Sequence, residues 1–140
     1  MAKPTCFLID DDEDDREIFE IALQNATGLY ECITAKNGYD AIAMLKDNPG
    51  FNPDFIFLDL NMPLMHGKEC LEHIKSMPGF LHIPVIIYTT SSYSKDIEDT
   101  KQLGAAHFLV KPPGLAPLTQ ALKRIVNKEA LPYCLDGTVL

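Results

Sequence analysis

The 140-residue sequence has no tryptophan, no C-x-x-C pair and no excess of positive charge. Each shortage removes a class of function. With 20 acidic residues against 12 basic ones and a net charge of −8, the chain is poorly suited to a nucleic-acid backbone or an anionic membrane surface as its main partner. No stretch approaches the roughly 20 apolar residues that span a bilayer. The acids from Asp10 to Asp15 interrupt the apolar run Cys6 to Ile9 before it could serve as a secretory leader. A cytoplasmic protein is expected, with Cys6, Cys32, Cys70 and Cys134 as widely spaced, reduced thiols. His66, His73, His82 and His107 show no metal-ligand spacing, so surface or packing roles are expected rather than zinc. Neither a G-x-G-x-x-G stretch nor a P-loop is present, which sets nucleotide binding aside.

What is present is an ordinary globular composition, 46% apolar and 23% charged. A chain of this length is one domain able to bury roughly 70% of its unfolded surface. Its organising stretch is Phe55-Ile56-Phe57-Leu58-Asp59-Leu60-Asn61-Met62-Pro63. Four consecutive apolar residues read as a short strand buried on both faces, and they run directly into a carboxylate. Met62-Pro63 and Gly67 then turn the chain. A lone buried charge costs several kcal/mol unless it is paired or coordinated. Taken alone, Asp59 is equally well read as the cap of the next turn.

Four other short runs resemble the Asp59 strand. Thr5 to Ile9 ends at Asp10-Asp11; Tyr30 to Thr34 is more polar; Pro84 to Thr89 carries proline at its tolerated first position; Ala106 to Val110 runs into Lys111-Pro112-Pro113. Between them lie helical patterns. One starts near Asp14 with Ile18, Ile21, Ala22 and Ala26 on one face. Others are Gly38 to Asp47, a helix after Gly67 carrying Cys70, Leu71, Ile74 and Met77, the thinly apolar Ser94 to Leu103, and a last helix with Leu115, Leu118, Leu122 and Ile125. This alternation predicts an α/β fold, a five-stranded parallel sheet with helices on both faces. Residues 1–128 are expected to form the domain. Residues 129–140 form a C-terminal tail, too short for an output domain, whose apolar Leu131, Tyr133, Leu135, Val139 and Leu140 suit docking.

In such a sheet, ligands sit outside the carboxyl ends of the strands. Asp10, Asp11, Asp59, Thr89 and Lys111 would therefore share one rim. Clustered carboxylates call for a cation, and oxygen-rich surroundings select Mg²⁺, which takes one or two carboxylates and leaves room for phosphate oxygens. A carboxylate can itself accept a phosphoryl group. The run Asp14-Asp15 is read as a solvated helix start.

The acidic pair after strand one, Asp59-Leu60-Asn61-Met62-Pro63 with Gly67, Thr89 five residues after Pro84, and Lys111-Pro112 together resemble the receiver domains of two-component response regulators, over residues 5 to about 127. The resemblance implies the CheY-like, flavodoxin-type strand order 2-1-3-4-5. It also implies Asp59 as phosphoacceptor and Mg²⁺ held by Asp10, Asp11, Asp59 and the backbone carbonyl of Asn61. Thr89 and Lys111 would bind phosphoryl oxygens, and Thr89 and Phe108 would act as switch residues. A cis Lys111–Pro112 bond is expected on the same ground. So are a sensor histidine kinase or phosphotransfer protein upstream, a protein effector downstream, and a monomer or weak dimer rather than a metabolic enzyme. Phe108 stands where many relatives carry tyrosine, His66 replaces a common acid, and Thr90 is larger than usual. A phosphohydrolase resembling the D-x-D class would need an acid at Asn61. A pseudo-receiver would lack part of the set Asp11, Asp59, Thr89 and Lys111.

Overall fold

The computed structural model describes residues 3–136. Six strands and five helices alternate: β1 Thr5–Ile9, α1 Glu13–Ala26, β2 Glu31–Ala35, α2 Gly38–Asp47, β3 Phe55–Leu58, α3 Gly67–Ser76, β4 Val85–Thr89, α4 Ser94–Gln102, β5 His107–Val110, α5 Leu115–Val126 and β6 Cys134–Leu135. All pairings are parallel, in the order β2-β1-β3-β4-β5-β6. The expected order 2-1-3-4-5 holds for the first five strands. The tail adds a sixth, with Cys134 against Phe108 and Leu135 against Leu109. Val139 and Leu140 lie outside the described residues. Among the described residues, no helix is long and apolar enough to cross a membrane.

The central strands β3 and β4 are continuous, fully buried and almost wholly apolar runs because the sheet is covered on both faces, while the outer β2 is more polar and only partly buried. On one face Ala41, Leu45, Leu71, Ile74 and Phe108 pack with Ile56, Leu58 and Ile87; on the other, Phe19, Leu23, Leu118, Leu122 and Ile125 pack with Phe57, Ile86 and Tyr88. Helix α1 corrects one expectation. Phe19, Ala22 and Leu23 face the sheet, while Ile18 and Ile21 are 42% and 45% exposed. Two apolar stripes overlap on this helix, and the aromatic one wins. Phe19 makes ring contacts with Phe57 at 4.9 Å and Tyr88 at 5.5 Å, which outweigh the burial of a β-branched side chain.

Lys111–Pro112 is trans, as is every peptide bond among the described residues, which corrects the cis bond expected from the resemblance. Trans is the ground state of an X-Pro bond, and the Lys111 ammonium reaches the rim from that geometry. Leu64, between β3 and α3, has φ 72 and is 77% exposed, so it has a left-handed backbone with little packing to repay it. Leu64→Gly is expected to raise stability by about 1 kcal/mol in urea unfolding.

Candidate functional site

The acidic run Asp10–Asp15 divides its labour by position. Asp12 caps α1, its side chain accepting the Asp15 amide at 2.9 Å, while Glu13, Asp14 and Asp15 occupy the helix's first turn. Asp10 follows directly on β1 and is fully buried. Its Oδ1 accepts the Asp12 amide at 3.0 Å, its Oδ2 accepts from Lys111 Nζ at 2.9 Å, and its carbonyl accepts from Arg16 at 2.8 Å. Asp11 is exposed and Asp59 is 6% exposed. The structure brings one carboxylate oxygen from each of Asp10, Asp11 and Asp59 within 4.8 Å of one another.

Lys111 follows β5 and reaches across this cluster. Its Nζ lies 2.7 Å from Asp15 Oδ2, 2.9 Å from Asp10 Oδ2 and 3.7 Å from Asp59 Oδ2, and sits 5.0 Å from the centre of the Tyr88 ring. Burial pulls the ammonium's pKa down, but the bonds to Asp15 and Asp10 and the charge of Asp59 outweigh it, so Lys111 is held charged. Burial pushes the Asp10 carboxyl up, against the Asp12 amide and Lys111. Asp15, read from sequence as solvated, is thus part of the rim, five residues after Asp10. A contact to a lysine 96 positions later leaves no local trace in the sequence.

Thr89 ends β4, is fully buried, and its hydroxyl accepts the Ser91 amide at 3.4 Å. The Asn61 amide lies 3.4 Å from Asp59 Oδ1. Phe108, the second residue of β5, is fully buried in the core. The turn after β3 depends on Gly67, whose amide donates to the Leu60 carbonyl at 2.8 Å. A Cβ there would collide with the Asp59 carbonyl oxygen and stand 2.6 Å from Leu60 Cα. Backbone cannot yield as a side-chain tip does, so Gly67→Ala is expected to destabilise by roughly 2–3 kcal/mol and to displace Asp59. Urea unfolding and the chemical shift of the Asp59 amide check it.

Beside the rim, Lys68 bridges α3 to α4, with Nζ 2.7 Å from Asp96 and 3.0 Å from Asp99; Ser91 donates to Asp96 at 2.6 Å. His66 caps α3 by accepting the Lys68 amide at 3.1 Å. Lys68 holds the Asp96 carboxyl below its usual range, helped by Ser91. An acid with a lowered native pKa stabilises fully above its unfolded value and loses that contribution as pH falls through the native one. Lys68→Met is therefore expected to cost at most about 1 kcal/mol near neutrality, the pair being partly open to solvent. That deficit should fade as pH drops below about 4, which paired melting curves of the two proteins would follow.

Three clustered carboxylates, hard oxygen donors with a single ammonium among them, suit a small hard dication rather than a soft one. Asp10, Asp11 and Asp59 thus fit Mg²⁺. The Lys111 ammonium among them, with Thr89 at the end of the neighbouring strand β4, suits an anion with several oxygens.

The family model described as response regulator receiver domain matches residues 6–123. Response regulator Rcp1 of Synechocystis sp. is 30% identical over 122 residues, which cover 84% of this chain and 83% of that one. The phosphorylated cyanobacterial phytochrome response regulator RcpA superposes with a TM-score of 0.82 at 33% identity, covering 94% of this chain and 99% of the other. The Mn²⁺-bound form of Rcp1 gives 0.78 at 29% identity, over 87% and 91%. Receiver domains are signalling modules that bind Mg²⁺ or Mn²⁺ in an acidic pocket, and a cluster of three aspartates is present in this chain. By family model, relatives and fold alike, the chain belongs to the receiver domains of two-component response regulators.

Proposed function

We propose that Asp59 accepts a phosphoryl group from the phosphohistidine of a sensor histidine kinase or phosphotransfer protein, and that the phosphorylated chain signals to a protein effector. The observation that carries this is the placement of Asp59. It is nearly buried, shares a 4.8 Å carboxylate cluster with Asp10 and Asp11, and lies 3.7 Å from a lysine ammonium. A purely structural aspartate would hold its cation at hydrogen-bonding distance, as Asp10 holds Lys111 at 2.9 Å. Similarity to a phosphorylated regulator and to a Mn²⁺-bound one supports the reading.

In this scheme Asp10, Asp11, Asp59 and the Asn61 carbonyl would hold Mg²⁺, and the ion would neutralise charge on the phosphoryl oxygens. An oxygen of Asp59 attacks phosphorus in line; the P–N bond to the histidine breaks and its electron pair leaves with the imidazole. Lys111 turns from Asp15 and Asp10 toward the equatorial oxygens, over which the charge of the transferred group is spread. Water later cleaves the acyl phosphate and resets the chain.

The Thr89 hydroxyl, now on the Ser91 amide, would move to the phosphoryl, vacating space that Phe108 fills, and the face of α4, β5 and α5 would change shape. Shifting a population from 1:99 to 99:1 takes about 5.5 kcal/mol. Charge-assisted hydrogen bonds contribute roughly 1.5–3 kcal/mol each, so Thr89, Lys111 and one backbone amide suffice. The domain is taken as residues 1–128 with the tail appended, working in the cytoplasm as a monomer or weak dimer. Incubation with a small phosphodonor and Mg²⁺, followed by intact mass, tests the reading. A gain of one phosphoryl group is expected, and an unlabelled chain would overturn it.

A further inference from the structure

Helix α4 is held less by apolar packing than by polar ties. Among its residues Ser94–Gln102, Thr100 alone is fully buried. The Thr100 hydroxyl lies 2.8 Å from the Asp96 carbonyl and 2.7 Å from the Tyr133 hydroxyl. A threonine hydroxyl has one proton, and a carbonyl can only accept it. Tyr133 is therefore the donor in the second bond. Tyr133 belongs to the segment after α5, and its backbone is fixed elsewhere. Its carbonyl accepts the Phe108 amide at 2.8 Å, and its neighbour Cys134 pairs with Phe108 in the sheet. His107 Nδ1 lies 3.0 Å from the Pro132 carbonyl, and Lys101 stands 5.7 Å over the Tyr133 ring. One tyrosine thus joins α4 by its side chain to β5 by its main chain, on either side of Phe108.

We propose that Tyr133 is a positioning residue that ties the tail strand to α4 in the resting chain, so that the phosphorylation state of Asp59 is passed to residues 131–135. Phe108 has no hydroxyl with which to bond α4, and Tyr133 supplies one from the tail. Phe108 and Ile97 of α4 share a core cluster with Tyr133 and Cys134. A shift of α4 toward the phosphoryl site stretches the Thr100–Tyr133 bond, and a turn of Phe108 loosens its pairing with β6. The surface offered to an effector then includes the tail strand as well as the helices. This rests on the reading of Asp59 as the acceptor.

The test uses the full chain labelled with 3-fluorotyrosine, with Tyr133→Phe assigning one of its five tyrosine resonances, titrated with beryllofluoride and Mg²⁺ as a phosphoryl mimic. The Tyr133 resonance is expected to move on saturation, and the Phe108 amide to exchange about tenfold faster. Thr100→Val should shift that resonance toward its liganded position without ligand and tighten beryllofluoride binding roughly threefold or more, since the resting state is relieved. Thr100→Ser should restore both. Saturable binding that leaves the Tyr133 resonance and the Phe108 amide unchanged, or an unaltered affinity in Thr100→Val, would make the tail a static clamp and overturn the proposal alone. No binding to the unmodified chain would overturn the reading of Asp59, and this proposal with it.

Discussion

Asp59→Asn is expected to abolish labelling by a small phosphodonor while raising the melting temperature of the Mg²⁺-free protein. The two effects share one cause. Asp59 sits with Asp10 and Asp11 inside a 4.8 Å cluster, and the cation beside it, Lys111 at 3.7 Å, makes its shorter contacts to Asp10 and Asp15. The charge on Asp59 is therefore less well compensated than that on Asp10, as its proposed role as acceptor requires. An amide keeps the shape and removes the repulsion, for a gain of roughly 1 kcal/mol, or about 3–5 °C. It cannot form an acyl phosphate. Mg²⁺ should also raise the melting temperature of the unmodified protein more than that of the variant, because an ion stabilises only the state that binds it. Labelling of Asp59→Asn equal to wild type would move the acceptor elsewhere. A lower melting temperature would make Asp59 a structural residue.

Much of the fold is legible because the sheet is covered on both faces. Strands β1, β3, β4 and β5 are short, mostly apolar runs bounded by turn residues, and the proposed site residues fall where those runs stop: Asp10 after Ile9, Asp59 after Leu58, Thr89 itself, Lys111 after Val110. A change from apolar to charged is the clearest mark a sequence carries, so the rim could be read together with the strands. Helix α1 could not. Ile18 and Ile21 compete with Phe19 and Leu23 at helical spacing, and only the rings of Phe57 and Tyr88 across the layer decide the face. Strand β6 is two residues long and has no period to detect. Asp15 and the Lys68–Asp96 bridge depend on partners distant in sequence. What escapes depends on contacts between residues distant in sequence, and the charged ones among these contacts include Lys111 with Asp15 at the site.

Lys111→Met is expected to be the most destabilising single change at the rim, costing roughly 3–5 kcal/mol at neutral pH. Methionine keeps the stem that packs near Tyr88, so the loss is the ammonium's. Without it the fully buried Asp10 carboxylate retains the Asp12 amide but no cation among its described contacts, and breaking a buried pair from one side is costlier than removing both partners. The pH dependence carries the sign. Burial already raises the Asp10 pKa and Lys111 opposes that rise, so the variant's Asp10 should bind a proton more readily in the native than in the unfolded chain. A group of that kind destabilises as pH rises above its unfolded value. The deficit should therefore shrink as pH is lowered from 7 toward about 4, opposite in sense to the wild-type contribution of Asp96. Asp10→Asn combined with Lys111→Met should recover most of the stability while leaving phosphoryl transfer impaired. Urea unfolding of the three proteins at two pH values, in Mg²⁺-free buffer, measures all of this. A loss below about 1 kcal/mol for Lys111→Met, or no recovery in the double variant, would mean that the Asp10–Lys111 pair does not hold the strand ends in place.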